Sequence, residues 1–274
     1  MNSYDAIIIG SGQAGTPLAF KLAEKGRTVA IIEKEHYGGT CLNTGCTPTK
    51  AYVASARRMF DAHNGEALGI AIPAGAKAQL SKIKARKDSL INKSVAGIKD
   101  GLEKNDKIAT YFGKAIFTGH KEVEVAGEKL KGKDIYINVG GRPREPKEYD
   151  DVGALNNQSI LELTELPEHL VIVGGSYIGL EFGQIFQRFG SKVTIVEMKD
   201  RIISKEDADV SSAIHETLEK EGMAFRLKAT CLGAKRLDDG RVEVNVDCEV
   251  GEPVVHGSHL LLAIGRVPNT DDLG

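Results

Sequence analysis

Apolar residues in this chain gather into short runs, each ended by glycine and followed by a helical pattern. Residues 4–9 (YDAIII) predict a buried strand. A glycine turn comes next, then helical spacing from Gly15 to Lys25 and a second strand at Thr28–Ile32, which together make a βαβ unit. Residues 46–63 predict a helix, with Pro48 in its first turn, where a missing N–H costs nothing. Leu80, Ile83, Ile91, Val95, Ile98 and Leu102 give a further helix over about 78–104. Its interspersed Lys82, Lys84, Arg86 and Lys87 read as a solvated face, with an anion site as the alternative. Residues 108–139 predict short strands with turns at Gly113, Gly119, Gly127 and Gly132. Residues 140–160, rich in Gly, Pro and charge, read as a domain crossing. A second βαβ unit starts at Leu170, and residues 223–262 return to short strands.

The βαβ unit therefore occurs twice. One copy runs Gly10-Ser11-Gly12-Gln13-Ala14-Gly15 and ends its second strand at Glu33; the other runs Gly174-Gly175-Ser176-Tyr177-Ile178-Gly179 and ends at Glu197. The acidic residue stands 23 positions after the first glycine in both. In a G-x-G-x-x-G turn the first glycine makes the bend, the second admits a pyrophosphate, and the third lets helix pack on strand. The pyrophosphate rests on the helix N-terminus and the acid bonds ribose hydroxyls. The chain is thus expected to be α/β, with two Rossmann-like dinucleotide-binding domains. In the second copy Ser176 replaces the middle glycine, which still permits a fairly close approach. Glu197 disfavours a 2′-phosphate and so favours NADH over NADPH, a preference that the nearby Lys199 and Arg201 soften.

Composition narrows the classes. The 274 residues suffice for two domains, and 41% hydrophobic with 27% charged residues describes a soluble globular chain. A net charge of −2 gives no footprint for nucleic acid or an anionic membrane. No run approaches the roughly 20 apolar residues of a membrane span. Met1–Ile9 has no basic region of the secretory kind, so a cytoplasmic location is expected. The cysteines are Cys41, Cys46, Cys231 and Cys248; the last two, in strand-like stretches, read as structural. The seven histidines show no arrangement that points to chemistry, and no residues are assigned to a metal.

Cys41 and Cys46 enclose four residues at the mouth of a helix, in Gly38-Gly39-Thr40-Cys41-Leu42-Asn43-Thr44-Gly45-Cys46-Thr47-Pro48-Thr49-Lys50. A helix N-terminus favours thiolates, and exchange chemistry needs one thiolate to attack and a neighbour to resolve. This segment resembles the redox-active helix of the flavin disulfide reductases, the pyridine nucleotide-disulfide oxidoreductase class that includes glutathione reductase, dihydrolipoamide dehydrogenase and mercuric reductase. The resemblance covers the whole chain. It implies an FAD domain over 1–148, interrupted by an NAD(P) domain over 149–265, with 266–274 re-entering the FAD domain. It also implies roles. Cys46 would lie against the flavin as its charge-transfer partner, and Cys41 would meet the substrate. Lys50 would approach the flavin and pair with Glu181, and Tyr177 would cover the nicotinamide pocket. Gly39, Thr40 and Gly45 belong to the same matched segment. Gly113 and Ala115 match backbone contacts to the FAD adenine. Gly140, Gly141 and Arg142 resemble the first crossing segment, and Ala263-Ile264-Gly265-Arg266 the second.

The implied activity passes electrons from NAD(P)H through FAD to the Cys41–Cys46 disulfide, and on to a small-molecule disulfide or a metal ion. Open alternatives are the reverse flux of dihydrolipoamide dehydrogenase, a flavin diaphorase or NADH oxidase, and a nucleotide-binding fragment without turnover. The Thr47-Pro48-Thr49-Lys50 ending resembles members grouped with mercuric reductases. The family's ribityl-binding segment, its dimerisation domain and the His–Glu pair carried there find no match, so a truncated chain, homodimeric in its full-length form, is expected.

Overall fold

The computed structural model describes residues 1–71, 75–248 and 251–274. The chain runs through β1 (Asn2–Ile9), α1 (Gly15–Glu24), β2 (Val29–Glu33), a short α2 (Gly39–Asn43), α3 (Cys46–Asn64) and α4 (Leu80–Glu103). There follow β3 (Ile108–Phe112), β4 (Ala115–Gly119), β5 (Glu122–Val125), β6 (Glu128–Ile137), β7 (Gly141–Pro143), β8 (His169–Val173), α5 (Tyr177–Phe189), β9 (Lys192–Val196) and α6 (Ala208–Lys220). The last elements are β10 (Ala224–Arg226), β11 (Ala229–Arg236), β12 (Val242–Cys248), β13 (Val254–Gly257), β14 (His259–Leu262) and β15 (Arg266–Pro268). Two compact units result: Met1–Pro48, Asp88–Arg142 and Arg266–Gly274 form one, and Thr49–Lys87 and Pro143–Gly265 the other.

The first unit is built on a six-stranded sheet in the order β3-β2-β1-β6-β5-β4. β3, β2, β1 and β6 run parallel, and β6, β5 and β4 form an antiparallel meander. A parallel strand covered on both faces reads as an unbroken apolar run, and Ala6-Ile7-Ile8-Ile9 is buried at all four positions. Ala6 and Ile8 pack with Ala19 and Leu22 of α1 and Leu102 of α4. Ile7 and Ile9 pack on the other face with Ala115, Val123, Val125 and Leu130 of the meander. Gly132 departs from the sequence expectation of a turn. It lies inside β6 opposite Tyr4, where a Cβ would come within 3.0 Å of Ile7 Cγ1. It is a glycine of close packing rather than of bending.

The second unit repeats the pattern with parallel strands in the order β10-β9-β8-β14, beside a separate sheet of β11, β12 and β13. Leu170, Ile172, Val193 and Ile195 pack against Phe182, Ile185, Phe186 and Phe189 of α5 and Tyr52 of α3. Val171, Val173, Leu260 and Leu262 pack against Val242, Val244 and Val246 of β12. Lys87 corrects the reading of a solvated face. It is 2% exposed, and its Nζ donates to the Leu161 carbonyl at 3.1 Å and to Glu162 at 2.7 Å. Lys84 joins the same carboxylate, and Arg86 donates to the Ala51 carbonyl. Cys231 is half-buried in β11 beside the valine-rich core, where its sulfur takes the Tyr149 hydroxyl at 3.2 Å. The side chain of Cys248 lies outside the described residues.

Candidate functional site

The first glycine turn is shaped by contacts that no side chain could share. Gly10 has φ +103°, and a Cβ there would come 2.2 Å from the Asn138 carbonyl oxygen. At Gly15 a Cβ would come 2.0 Å from the Gly10 carbonyl oxygen. Gly12 differs: the nearest atom to its Cβ position is Asn138 Nδ2 at 3.8 Å. The chain's own packing leaves that space open, which suits the close approach of a pyrophosphate. α1 starts without a side-chain cap and without an acidic residue in its first turn. Thr16 N–H bonds the Gly12 carbonyl at 3.2 Å and Pro17 has no N–H, so an anion there would be met chiefly by the positive dipole end and the N–H groups of the turn itself. Glu33 closes the turn from below. Its Oε2 accepts Ser11 N–H at 3.0 Å and the Ser11 hydroxyl at 2.6 Å, and its Oε1 accepts Glu35 N–H at 2.9 Å. Gly113 follows β3 at φ +148° and donates its N–H to the Glu33 carbonyl, while Ala115 is buried at the start of β4. These residues fit the adenosine and pyrophosphate of a dinucleotide.

The second turn repeats the backbone and carboxylate bonds of the first. Gly174 has φ +111°, and a Cβ there would come 2.5 Å from the Ala263 carbonyl oxygen; at Gly179 it would come 2.0 Å from that of Gly174. Gly10 N–H donates to Ile32, and Gly174 N–H to Val196, each at 2.8 Å. Asn138 N–H donates to Ile9, and Ala263 N–H to Val173, again each at 2.8 Å. Glu197 accepts Gly175 N–H at 2.7 Å and Lys199 N–H at 2.9 Å. Ser176 is the N-cap of α5 but makes no capping bond, so its hydroxyl leaves the helix start open. Ile178 is half-buried in the first turn of that helix. Lys199 Nζ reaches Ser204 Oγ at 2.9 Å, and Arg201 donates to the Ser204 and Glu206 carbonyls. Both cations are engaged by the loop ahead of α6. Tyr177 stands exposed at the start of α5, its hydroxyl donating to the Glu206 carboxylate, which holds the phenol proton more tightly than usual.

The cysteine segment is held against the first turn. Gly38 (φ +91°) is the N-cap of α2, and a Cβ on Gly39 (φ +60°) would come 2.8 Å from Gly12 Cα. The Asn43 side chain donates to the Tyr37 and Gly39 carbonyls. Thr40 accepts the Thr44 N–H at 2.9 Å. A Cβ on Gly45 would come 2.9 Å from the Thr40 carbonyl oxygen and 3.3 Å from Cys41 Cα, so only glycine turns the chain so sharply from α2 into α3. Cys41 is half-buried on α2, and Cys46 is exposed at the first position of α3. One turn further along α3, Lys50 donates to the Glu181 carboxylate of α5. Gly140 (φ +66°) precedes Gly141, whose Cβ would come 2.9 Å from the Val267 carbonyl oxygen. Arg142 forms a two-pronged pair with Asp271, which raises the Arg142 pKa and lowers that of Asp271. Arg266 donates to the Gly141 carbonyl, and Gly265 (φ +115°) accepts Arg144 N–H.

The model of the pyridine nucleotide-disulphide oxidoreductases matches residues 4–274. The chain belongs to this family. Its members are oxidoreductases that use FAD and NAD(P)H. A dihydrolipoyl dehydrogenase of Staphylococcus aureus is 34% identical over 281 residues, covering 98% of this chain and 58% of that protein. That of Acholeplasma laidlawii is 34% identical over 276 residues, covering 98% of this chain and 80% of its own length. Among solved structures, the Cu(II) complex of the HOCl-induced flavoprotein disulfide reductase RclA from Escherichia coli superposes with a TM-score of 0.86 at 32% identity. That match covers 100% of this chain and 59% of RclA. The chain thus spans a little under three fifths of the Staphylococcus and RclA proteins. Among the described residues no helix is long and apolar enough to cross a membrane. Ser11, Asn138 and Glu206 also touch the site and escaped sequence reasoning, for none is a fixed position of a motif; Gly38 opens the matched cysteine segment, but no role was read for it.

Proposed function

We propose that this chain supplies the FAD turn, the NADH turn and the redox-active cysteines of a flavin disulfide reductase that acts on a small-molecule disulfide. The observation that carries the proposal is the shared backbone and carboxylate bonding of two glycine turns, with the Cys41–Cys46 segment held on the first. FAD, when bound, would accept hydride from the nicotinamide and pass two electrons on. Gly10, Gly12, Gly15 and Glu33 would hold its adenosine half, with Gly113 and Ala115 beside the adenine. Gly39, Thr40, Gly45, Gly140, Gly141, Arg142, Gly265 and Arg266 are assigned to the same cofactor through the family likeness. Gly174, Gly175, Ser176, Ile178, Gly179 and Glu197 would hold NADH, with Tyr177 over its nicotinamide.

The thiol chemistry then follows from the cysteines. Two electrons and two protons open the Cys41–Cys46 disulfide to a dithiol. The Cys41 thiolate attacks one sulfur of the substrate disulfide and expels the other as a thiolate, which takes a proton. Cys46 then attacks Cys41 Sγ, releases the second substrate thiol and restores the disulfide. The similarity to dihydrolipoyl dehydrogenases favours a second reading in which the same steps run backwards and a dithiol substrate reduces NAD⁺. A metal ion is the alternative acceptor, and the family likeness favours a cytoplasmic homodimer as the working enzyme.

The test is an anaerobic NADH titration of the FAD-loaded protein. A long-wavelength absorption band that appears on two-electron reduction and disappears in Cys46→Ser supports the proposal. Bleaching without that band would mean that electrons leave by another route, such as oxygen or a quinone.

A further inference from the structure

Ser11 does something in the first turn that has no counterpart in the second. It is fully buried, and its hydroxyl donates to Glu33 Oε2 at 2.6 Å. Ser11 Oγ also accepts the Gly38 N–H at 3.2 Å, shared with the Ser11 carbonyl at 3.2 Å. Gly38 is the N-cap of α2, which carries Cys41. A single hydroxyl therefore bridges the carboxylate beneath the turn and the helix that presents a redox thiol. In the second copy Gly175 takes the place of Ser11, and Ile203 N–H donates to its carbonyl at 2.8 Å. The backbone bond to the following segment is common to both copies. The hydroxyl bridge is added only where that segment holds a cysteine.

Resting on the reading of the first turn as a dinucleotide cradle, we infer that Ser11 is a positioning residue that couples occupancy at Glu33 to the reactivity of Cys41. Ribose hydroxyls donating to the Glu33 carboxylate compete for the electron density that Ser11 draws on. That changes the hydroxyl's strength as acceptor for Gly38 N–H, and with it the placing of α2. The same hydroxyl helps to hold that carboxylate in place, so although its loss removes a competitor, a Glu33 left free to turn should bind nucleotide about 10-fold more weakly.

The experiment uses ADP, which carries the ribose and pyrophosphate but no flavin. ADP affinity and the pH profile of Cys41 alkylation, read by peptide mass spectrometry with and without saturating ADP, are measured for wild type, Ser11→Ala and Ser11→Gly. Ser11→Gly installs the residue of the second copy, so its backbone is compatible with the turn. The expected result is a wild-type profile that ADP moves, and variants whose profiles are the same with and without ADP while their ADP affinity falls about 10-fold. Profiles that ADP moves equally in wild type and variants would overturn the coupling and leave Ser11 merely structural. So would a wild-type profile indifferent to bound ADP. If neither ADP nor FAD binds the wild type, the cradle reading itself falls, which is a distinct failure.

Discussion

Glu197 accepts the Gly175 N–H at 2.7 Å, the same bond that Glu33 makes to Ser11 at 3.0 Å in the other copy of the turn. On the proposed function each pinned carboxylate would meet the ribose of a dinucleotide, and Glu197 would bear on which nucleotide the second turn accepts. A 2′-phosphate there would meet a fixed negative charge. Replacing Glu197 by Gln keeps the shape and removes the charge. The expected outcome is a ratio of NADPH to NADH affinity that rises about 10-fold, equivalent to about 1.4 kcal/mol. Titrating wild type and Glu197→Gln with both nucleotides checks it, and an unchanged ratio would show that Glu197 does not select between them.

The glycines separate into two kinds that a mutation series can tell apart. Ala at Gly15 or Gly179 would set a methyl 2.0 Å from a carbonyl oxygen, so the helix must move off the strand. Each should cost about 3 kcal/mol or more and lower the thermal midpoint by several degrees. Ala at Gly12 meets nothing nearer than 3.8 Å. Gly12→Ala should melt close to wild type while FAD affinity drops at least about 10-fold, since the methyl takes the pyrophosphate's approach. Melting curves beside flavin retention decide it; equal melting losses in all three variants would refute the distinction.

The Lys50–Glu181 pair is largely solvent-exposed on the lysine side, with 63% of that side chain accessible. Screening leaves such a pair worth no more than about 1 kcal/mol of stability. Its significance would be electrostatic, as a fixed positive charge one turn from Cys46. Lys50→Met should therefore leave the melting temperature nearly unchanged and slow NADH-driven disulfide reduction about 100-fold. A variant that loses stability but keeps its rate would make the pair structural.

Lys87 marks where reading the sequence fell short. It stands four positions after Ile83 and four before Ile91, on the apolar stripe of α4, so helical spacing already pointed it inward. Charge prompted the opposite reading, because buried lysines are rare; what decides the matter is a carbonyl and a carboxylate contributed from Leu161 and Glu162, distant in sequence. The turns were legible because a left-handed φ or a contact near 2 Å admits only glycine, and that demand is written at fixed spacing. Ser11 was not, because the middle position of such a turn tolerates many residues and its partner Gly38 stands 27 positions away. The Lys50–Glu181 pairing came from family likeness alone. Lys87→Ala, which removes a buried stem and one donor each from the Leu161 carbonyl and the Glu162 carboxylate, should cost about 2 kcal/mol; Lys87→Met, which keeps the stem, should cost less. Denaturant midpoints of the two variants test this, and equal small losses would mean that Lys87 is held only by its stem.

Two half-buried histidines give the second unit an acid limit. His169, at the start of β8, bonds Thr194 Oγ1 at 2.9 Å, and its pKa is lowered first by desolvation and then by Lys192. His259, at the start of β14, is lowered first by desolvation and then by Arg236. A histidine whose folded pKa lies below its ordinary value of about 6.5 takes up its proton more readily in the unfolded chain. Stability is then fully present above about pH 6.5, declines as pH falls below that value, and stops declining once the folded form is protonated as well. The expected thermal midpoint therefore drops between pH 7 and pH 5, more steeply than carboxylate titration alone would give. His169→Gln, which retains a polar group to meet Thr194, should flatten that drop, and adding His259→Gln should flatten it further. A midpoint falling equally steeply in the double variant would place the acid sensitivity in other groups.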